Sequence, residues 1–283
     1  MCLVLAGCTA TGASEEQVLE NPAEELPRVS IEGLPEPDVE LDYENGTAIT
    51  PITPYLLNLD DETSFLTAEA VGAVTYQCMT ERGFDYPAYT SVDWRHLEAP
   101  EDRLFGAWDE DAAAEYGFLP DPTRGVPRVN TVDEGVESNE ALVECNSAAQ
   151  KNPQLIELAE EVNQPSLADR ILGNAAEQAQ RHPDGVAATE DFHACLQEKD
   201  IVIDPASGYV SPDYGDLDDQ TRIAAAVAEA SCNVDTGRID VLYGLRAKYE
   251  EVYMEKYEAR LQEALERKES IHDQLRALID EAA

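Results

Sequence analysis

The sequence predicts a mainly α-helical domain that is stapled by disulfides and has irregular loops and a long C-terminal helix. Apolar side chains recur at helical spacing in several segments, most clearly between residues 217 and 281. Four widely separated cysteines favour the disulfide staples. Their spacing does not suit a zinc site, which would need close C-x-x-C pairs. These cysteines are Cys78, Cys145, Cys195 and Cys232. We expect them to form two structural disulfides, for which three pairings exist.

The first helix is predicted over residues 66–82, where apolar residues share one face. They are Leu66, Ala70, Ala73, Val74 and Cys78. Gly83 stands where a C-cap glycine belongs, and Pro87 prevents the helix from resuming. The pattern therefore gives both the inward face of this helix and its end.

Caps also mark the helices in the middle of the chain. Ser138 or Asn139 is expected to cap a helix that runs through Ala149. Pro153 suits the first turn of the next helix, because proline lacks an N–H that this turn would leave unpaired. A further helix is predicted over residues 166–180.

The second half of the chain repeats the first in outline. A short helix opened by Asp184 or Thr189 carries Cys195, as the first helix carries Cys78. Each of these cysteines is followed by a proline and then by a helix with a second cysteine. We expect two weakly related, cysteine-paired halves, at about residues 66–150 and 185–245. The repeat selects the pairs Cys78–Cys145 and Cys195–Cys232.

The C-terminal helix is the clearest element, predicted over residues 217–281 with a bend at Gly237. Asp216 and Asp219 suit its N-terminus, where acids meet unpaired N–H groups. Calcium binding by the aspartates at 213, 216, 218 and 219 is the alternative, but they lack the spacing of an EF-hand loop. One apolar stripe follows the helix: Leu242, Leu245, Tyr249, Tyr253, Tyr257, Leu261, Leu265, Ile271 and Leu275. It packs back on the domain, dimerises or holds a protein partner, and packing back is favoured.

The first residues resemble a bacterial lipobox. Leu5-Ala6-Gly7-Cys8 ends a short apolar run in small residues and an acceptor cysteine. We expect residues 1–8 to be a truncated lipoprotein signal and Cys8 to carry the lipid that attaches the protein to a membrane. The alternative is an ordinary apolar N-terminus with two unpaired cysteines. The lipobox interpretation places the protein on the extracytoplasmic face of the bacterial cell membrane.

Residues 9–47 are predicted to form an acidic, disordered tether. Prolines and acids interrupt any sustained period, and low hydrophobicity with high charge does not offset the entropy of folding. The folded domain is then expected over residues 48–283.

The charge of the chain excludes one class of partner. The formal net charge is −40 over 283 residues. A surface this negative repels the phosphates of nucleic acids, so we expect no nucleic-acid partner. Solubility is the favoured reason for the acidity, and attraction of cations or basic partners is the alternative.

Catalytic and metal-binding motifs are absent from the sequence, and we expect neither a cofactor nor a metal. The four histidines, His96, His182, His193 and His272, are scattered. A group of aromatic residues either lines a ligand groove for sugar or peptide or forms a small core, which is favoured. It comprises Tyr86, Tyr89, Trp94, Trp108 and Tyr116.

Two cysteine segments carry a family resemblance. Residues 78–87, Cys-Met-Thr-Glu-Arg-Gly-Phe-Asp-Tyr-Pro, resemble a C-M-x-x-x-G-[FV]-x-[YF]-P segment of poorly characterised lipoproteins secreted by actinobacteria. Residues 223–243 look like the matching C-terminal segment of that family. Asp200 departs from the pattern, because it replaces the glycine of the segment that begins at Cys195. The resemblance implies export, a lipid anchor and a cysteine-stapled helical architecture, and it implies no activity.

The functional expectation follows from the anchor, the staples and the long helix. We expect a non-enzymatic, lipid-anchored cell-surface protein that binds an envelope or transport partner, with the C-terminal helix as the partner surface. The alternative is a cell-wall-active enzyme or a ligand-binding module that uses the aromatic-rich segment 88–120.

Overall fold

The architecture is mainly helical, as predicted. A computed structural model describes residues 26–57, 61–84, 99–124, 136–204, 210 and 218–282. A short hairpin comes first, with strand β1 (Glu40–Asp42) antiparallel to strand β2 (Thr47–Ile49), and a 3-10 turn follows at Thr53–Tyr55. The helices are α1 (Asp61–Glu81), α2 (Glu110–Tyr116), α3 (Val136–Ala149), α4 (Pro153–Val162), α5 (Leu167–Arg181), α6 (Pro183–Glu198), α7 (Asp219–Asp235), α8 (Arg238–Lys256) and α9 (Glu258–Ala282).

Helix α8 lies at the centre of the fold. It packs along α5, and it also contacts α6 and α7. Its apolar side chains Leu242, Tyr243 and Tyr253 are completely buried. Helix α9 packs along α1, which in turn packs against α3. Within the described residues, no helix is both long enough and apolar enough to cross a membrane.

Two helix starts agree with the sequence predictions. Pro153 occupies the first turn of α4, and the Asn152 side chain before it accepts hydrogen bonds from two backbone N–H groups. Ser166 caps α5 through a reciprocal capping box with Asp169. These short polar side chains satisfy donors that a helix leaves unpaired at its start.

Other boundaries correct the predictions. Helix α3 already begins at Val136, so Ser138 and Asn139 lie inside it and do not cap it. Helix α6 begins at Pro183, and its N-cap is His182, not Asp184 or Thr189. In both cases the favourable capping residue lies within a helix that begins earlier. For α6 the local signal was Pro183, which occupies its first turn.

The predicted C-terminal helix is divided into three. It breaks at Thr236–Gly237, where a bend was expected, and again at Tyr257, which the sequence pattern does not signal. Asp218 caps α7 by accepting from the Thr221 N–H, while Asp216 lies outside the described residues. The apolar stripe packs back on the domain, with Tyr253 and Leu261 at most 1% exposed.

The second half of the predicted tether is folded, which corrects its boundary. Leu26 and Ile31 are each 9% exposed and belong to hydrophobic clusters with helices α5 and α8. The hairpin of β1 and β2 follows within the same region. A few apolar residues between the acids are enough because the surface that receives them is already formed by the helices. The remaining tether residues, 9–25, lie outside the described residues.

The two disulfides pair as predicted. Cys78 bonds to Cys145 and joins α1 to α3, with a Cα–Cα distance of 5.6 Å. Cys195 bonds to Cys232 and joins α6 to α7, with a Cα–Cα distance of 5.7 Å. Both distances lie within the normal range for a disulfide.

Candidate functional site

The predicted ligand groove is only partly within the described residues. Tyr86, Tyr89 and Trp94 lie outside them, as does Cys8. Trp108 is 2% exposed, and its ring packs edge-on against Tyr43 at a centroid distance of 5.3 Å. The indole Nε1 donates to the Asp102 carbonyl oxygen at 2.5 Å. Trp108 is therefore a core residue, in line with the favoured interpretation of this aromatic group.

Tyr116, the other groove candidate within the described residues, lies at the end of α2 and is partly exposed. A hydrogen bond with Glu115 contributes most to raising the pKa of its hydroxyl to about 12. No described contact brings Tyr116 together with Trp108. The groove on segment 88–120 stays a prediction.

A buried polar cluster lies where the loop at residues 101–109 crosses α7 and α8. Arg238 donates to the Phe105 carbonyl oxygen and to Asn233 Oδ1, both at 2.7 Å. Asn233 donates in turn to the Ala107 carbonyl oxygen at 2.7 Å. Arg238 and Asn233 are at most 2% exposed. Their hydrogen bonds satisfy backbone carbonyls of a loop that forms no regular structure.

Glu229 is the titratable group of this cluster. It is 4% exposed on α7, and Gly106 of the loop lies directly against it. A Cβ atom at Gly106 would come within 2.5 Å of Glu229 Oε1, so this approach requires glycine. Burial raises the pKa of Glu229 to about 7, against an opposing effect of Arg238. The sequence offered no signal for this carboxyl, because one glutamate among 59 acids is not distinctive.

A buried ion pair joins α8 to the segment before the 3-10 turn. Arg246 Nε lies 2.8 Å from Glu250 Oε1, and neither side chain is more than 1% exposed. Arg246 also donates to Thr50 Oγ1 at 2.7 Å, and Glu250 Oε2 accepts from the Ile52 N–H at 3.3 Å. Because the partners are backbone and core groups, this pair positions residues 50–52 and does not face a substrate.

One arrangement has the order of groups found in hydrolases. Thr63 Oγ1 lies 2.7 Å from His272 Nε2, and His272 Nδ1 lies 3.8 Å from Glu62 Oε2. A hydroxyl, an imidazole and a carboxylate in this order can activate a nucleophile. Thr63, however, is 1% exposed between α1 and α9, so a substrate carbonyl has no path to its oxygen. The arrangement links the start of α1 to α9.

The described residues contain no group of three or more histidine, cysteine or acidic side chains that could hold a metal ion. The aspartates at 213 and 216, which the calcium alternative needs, lie outside the described ranges.

A segment without helix or strand, residues 26–36 and called the strap below, lies along the groove between α5 and α8 and has a turn at Glu32–Gly33. Gln178 Oε1 accepts from the Val29 N–H at 3.1 Å, and the Tyr253 hydroxyl donates to the Pro27 carbonyl oxygen at 2.6 Å. Sequence reasoning missed this site, because it treated Tyr253 as part of an apolar stripe and the strap as disordered. The short apolar pattern of the strap, at Leu26, Val29 and Ile31, was the available signal.

The groove between α5 and α8 holds the strap, which is a segment of the same chain. The groove is lined by small and apolar residues of α5 and α8, which contact the strap side chains: Ala168, Ile171, Ala175, Ala179, Leu245 and Tyr249. Burial raises the pKa of Tyr253, so its hydroxyl keeps the proton that it donates.

Comparison with known proteins finds no counterpart: no family model, no curated protein and no solved structure matches this chain.

Proposed function

We propose that this protein is a non-enzymatic, lipid-anchored binding domain on the extracytoplasmic face of a bacterial cell membrane, where it holds an envelope or transport partner. The observation that carries the proposal is the pair of disulfides. Disulfides form and persist in oxidising compartments and are rare in the cytosol. Both bonds join separate helices in hydrophobic clusters, as structural disulfides do.

Attachment through Cys8 accounts for the N-terminal region. Cys8 lies 18 residues before Leu26, where the strap begins. An extended chain spans at most about 3.3–3.6 Å per residue, so this stretch would allow the domain to stand up to about 60 Å from the lipid. The domain would then face the cell envelope.

The packing of the described polar groups supports a binding function over an enzymatic one. Arg238, Arg246 and Glu250 direct their hydrogen bonds to loop backbone, to each other or to the neighbouring side chains of Asn233 and Thr50. An enzyme needs such groups to converge on a cavity that a substrate enters. In this domain they secure loops to helices instead.

Fatty-acid labelling of living cells tests the anchor. A bacterial strain that expresses the chain behind the basic and apolar segments of a complete lipoprotein signal is fed an azide-tagged fatty acid, and the labelled protein is detected after membrane fractionation. Cys8→Ala should abolish the label and release the protein from the membrane fraction. Cys2→Ala, the matched control, should change neither.

Equal labelling of the wild type and Cys8→Ala would overturn the proposed anchor. Mass spectrometry of the same preparation should find both disulfides, and a fully reduced protein would argue against export.

A further inference from the structure

The groove between α5 and α8 recognises the main chain of the strap. The two strap atoms that α5 and α8 bind are the Val29 N–H and the Pro27 carbonyl oxygen. Such atoms are present in every peptide, apart from the N–H of proline. Main-chain hydrogen bonds provide affinity for extended peptides, while pockets for side chains provide specificity.

The binding groups are held in place without the strap. Gln178 Nε2 lies 2.6 Å from the Tyr253 hydroxyl and 2.7 Å from Asn174 Oδ1, so the three side chains position one another. The same two helices also pack on each other away from the strap, because Ala176 of α5 lies in one cluster with Ile239 and Leu242 of α8 that contains no strap residue. A site that is formed before its ligand arrives loses less entropy on binding.

The strap itself is held by few contacts. Leu26 and Ile31 are buried and Val29 is half-buried, but most of its other residues are exposed. Near its end, Glu36 pairs with Lys248 of α8 at 2.7 Å, and the Glu36 side chain is 85% exposed. Since the strap makes no ladder hydrogen bonds, it can leave while α5 and α8 remain packed together.

We propose that the α5–α8 groove is a binding site for an extended peptide segment of a partner protein, and that the strap is its intramolecular occupant. The inference rests on the proposed function, because it names the surface through which a partner would be held. The strap defines the chemistry of that segment: apolar side chains spaced as Leu26, Val29 and Ile31 are, followed by an acidic residue for Lys248.

Competition with the strap sets the strength of binding. A tethered segment acts at a high effective concentration, so a peptide in solution competes poorly with it. The apparent affinity of a partner falls by the fraction of molecules whose groove is open. Releasing the strap should therefore increase affinity without changing the groove.

The test uses the full chain and a fluorescein-labelled synthetic peptide with the sequence of residues 24–37. In the double variant Leu26→Asp and Ile31→Asp, two carboxylates oppose burial of the strap and leave the groove open. Fluorescence anisotropy should show that this variant binds the peptide at least tenfold more tightly than the wild type does. A peptide that carries Ile31→Asp should bind to neither protein.

Groove variants in the released-strap chain identify the site. Gln178→Ala and Tyr253→Phe, which remove the main-chain partners, should each weaken peptide binding about fivefold. Gln180→Ala is the matched control, since Gln180 lies on the same helix as Gln178, is exposed and makes no described contact with the strap. It should change binding by less than twofold.

Three outcomes would overturn the proposal. The folded released-strap variant fails to bind the peptide, the Gln178 and Tyr253 variants bind as well as their parent, or the chain forms a strap-exchanged dimer that excludes the peptide. That dimer would assign the groove to a second copy. None of these outcomes depends on lipid at Cys8, so they are separate from failure of the anchor.

A measurement on the wild type covers the case in which the double variant does not fold, as judged by circular dichroism. Millimolar peptide should accelerate hydrogen exchange of the Val29 amide at least threefold and leave amides within α5 unchanged. An unchanged Val29 rate would contradict the proposal.

Discussion

The two disulfide-linked helix pairs, α1–α3 and α6–α7, are built in the same way from different residues. In each pair the residue after the first cysteine, Met79 or Leu196, is completely buried, and so is the second cysteine. Both first helices end in the same hydrogen-bond pattern: the Phe84 N–H bonds to the Met79 carbonyl at 3.1 Å, and the Ile201 N–H bonds to the Leu196 carbonyl at 3.0 Å. The weak sequence repeat therefore corresponds to a repeated local structure.

A polar contact beside each disulfide also recurs. Four residues after the first cysteine, Arg82 pairs with Glu144 at 2.6 Å, and Lys199 donates to Ser231 Oγ at 2.8 Å. Glu144 and Ser231 each precede the second cysteine of their pair. A basic side chain thus reaches across to the partner helix at the same place in both pairs.

The pairs differ in what surrounds the second cysteine. Asn146 is exposed and accepts one hydrogen bond from Thr75, whereas Asn233 is buried and holds the 101–109 loop. Three residues before the cysteine, α3 has the apolar Leu142 and α7 has the buried acid Glu229. The first pair only joins two helices, whereas the second also binds the loop at residues 101–109 through Asn233.

Removal of either disulfide should cause the largest loss of stability, and the losses for the two helix pairs should differ only slightly. Loop-closure entropy predicts a loss of about 4 kcal/mol for each bond, and about 0.5 kcal/mol more for the bond that closes the longer loop. The sequence separations are 67 residues for Cys78–Cys145 and 37 for Cys195–Cys232. Urea unfolding of the two double serine variants measures both losses, and a clearly larger loss for the shorter loop would show that strain or packing dominates.

Alanine substitution of Asn233 and of Asn146 should give the clearest difference in stability loss between the two helix pairs. Asn233→Ala leaves buried partners, among them Arg238, without their hydrogen bonds and should cost about 3 kcal/mol. Asn146→Ala removes one contact at the surface and should cost at most about 1 kcal/mol. Equal losses in chemical denaturation would contradict the assigned difference between the pairs.

The second pair should contribute more to the pH dependence of stability than the first, where burial also raises the pKa of Glu69 on α1. The folded-state pKa of Glu229 is about 7, above its usual 4.5, so between these values the folded protein binds more protons than the unfolded chain. Stability from this group therefore falls as pH rises from about 4.5 to 7, by up to about 3 kcal/mol. Glu229→Gln should remove that decline.

Unfolding free energies of the wild type and Glu229→Gln, measured at pH 5 and pH 8, test this prediction. Leu142→Gln, at the corresponding position of α3, is the control that should leave the pH dependence of the wild type in place. A parallel decline in Glu229→Gln would assign the titration to another group.

The smallest expected effect concerns the helix ends. Gly83 and Asp200 occupy the same position, with φ of +84° and +58°, a conformation that glycine adopts readily and aspartate at a cost. Asp200→Gly should therefore stabilise the protein by about 0.5 kcal/mol, and Gly83→Asp should destabilise it by up to about 1 kcal/mol. Thermal unfolding measures both, and opposite signs would show that side-chain contacts outweigh the backbone preference.

Local signals predicted much of the fold. The class, the face of α1 and the position of α5 follow from apolar spacing, the start of α4 follows from Pro153, and the disulfide pairs follow from the repeated cysteine context. The positions of Ser138, Asp184 and Tyr257 show the limit. A good cap does not start a helix that has already begun upstream of it, and a helix that appears continuous can break where its two parts pack on different neighbours.

The sites were much less predictable. The buried polar groups Glu229, Asn233 and Arg246 acquire their roles from segments more than a hundred residues away, to which no local pattern points. The lipobox at Cys8 and the groove residues Tyr86, Tyr89 and Trp94 stay predictions.

Local sequence was sufficient to predict the helical class and the cysteine pairs, because helical period and a repeated cysteine context are properties of neighbouring residues. Contacts between distant segments established two further points. Residues 26–36 pack as a strap, and the C-terminal apolar stripe is buried in the core of the protein. The acidic, proline-containing strap is ordered because Leu26 and Ile31 are buried against α5 and α8, which lie more than a hundred residues away in the sequence.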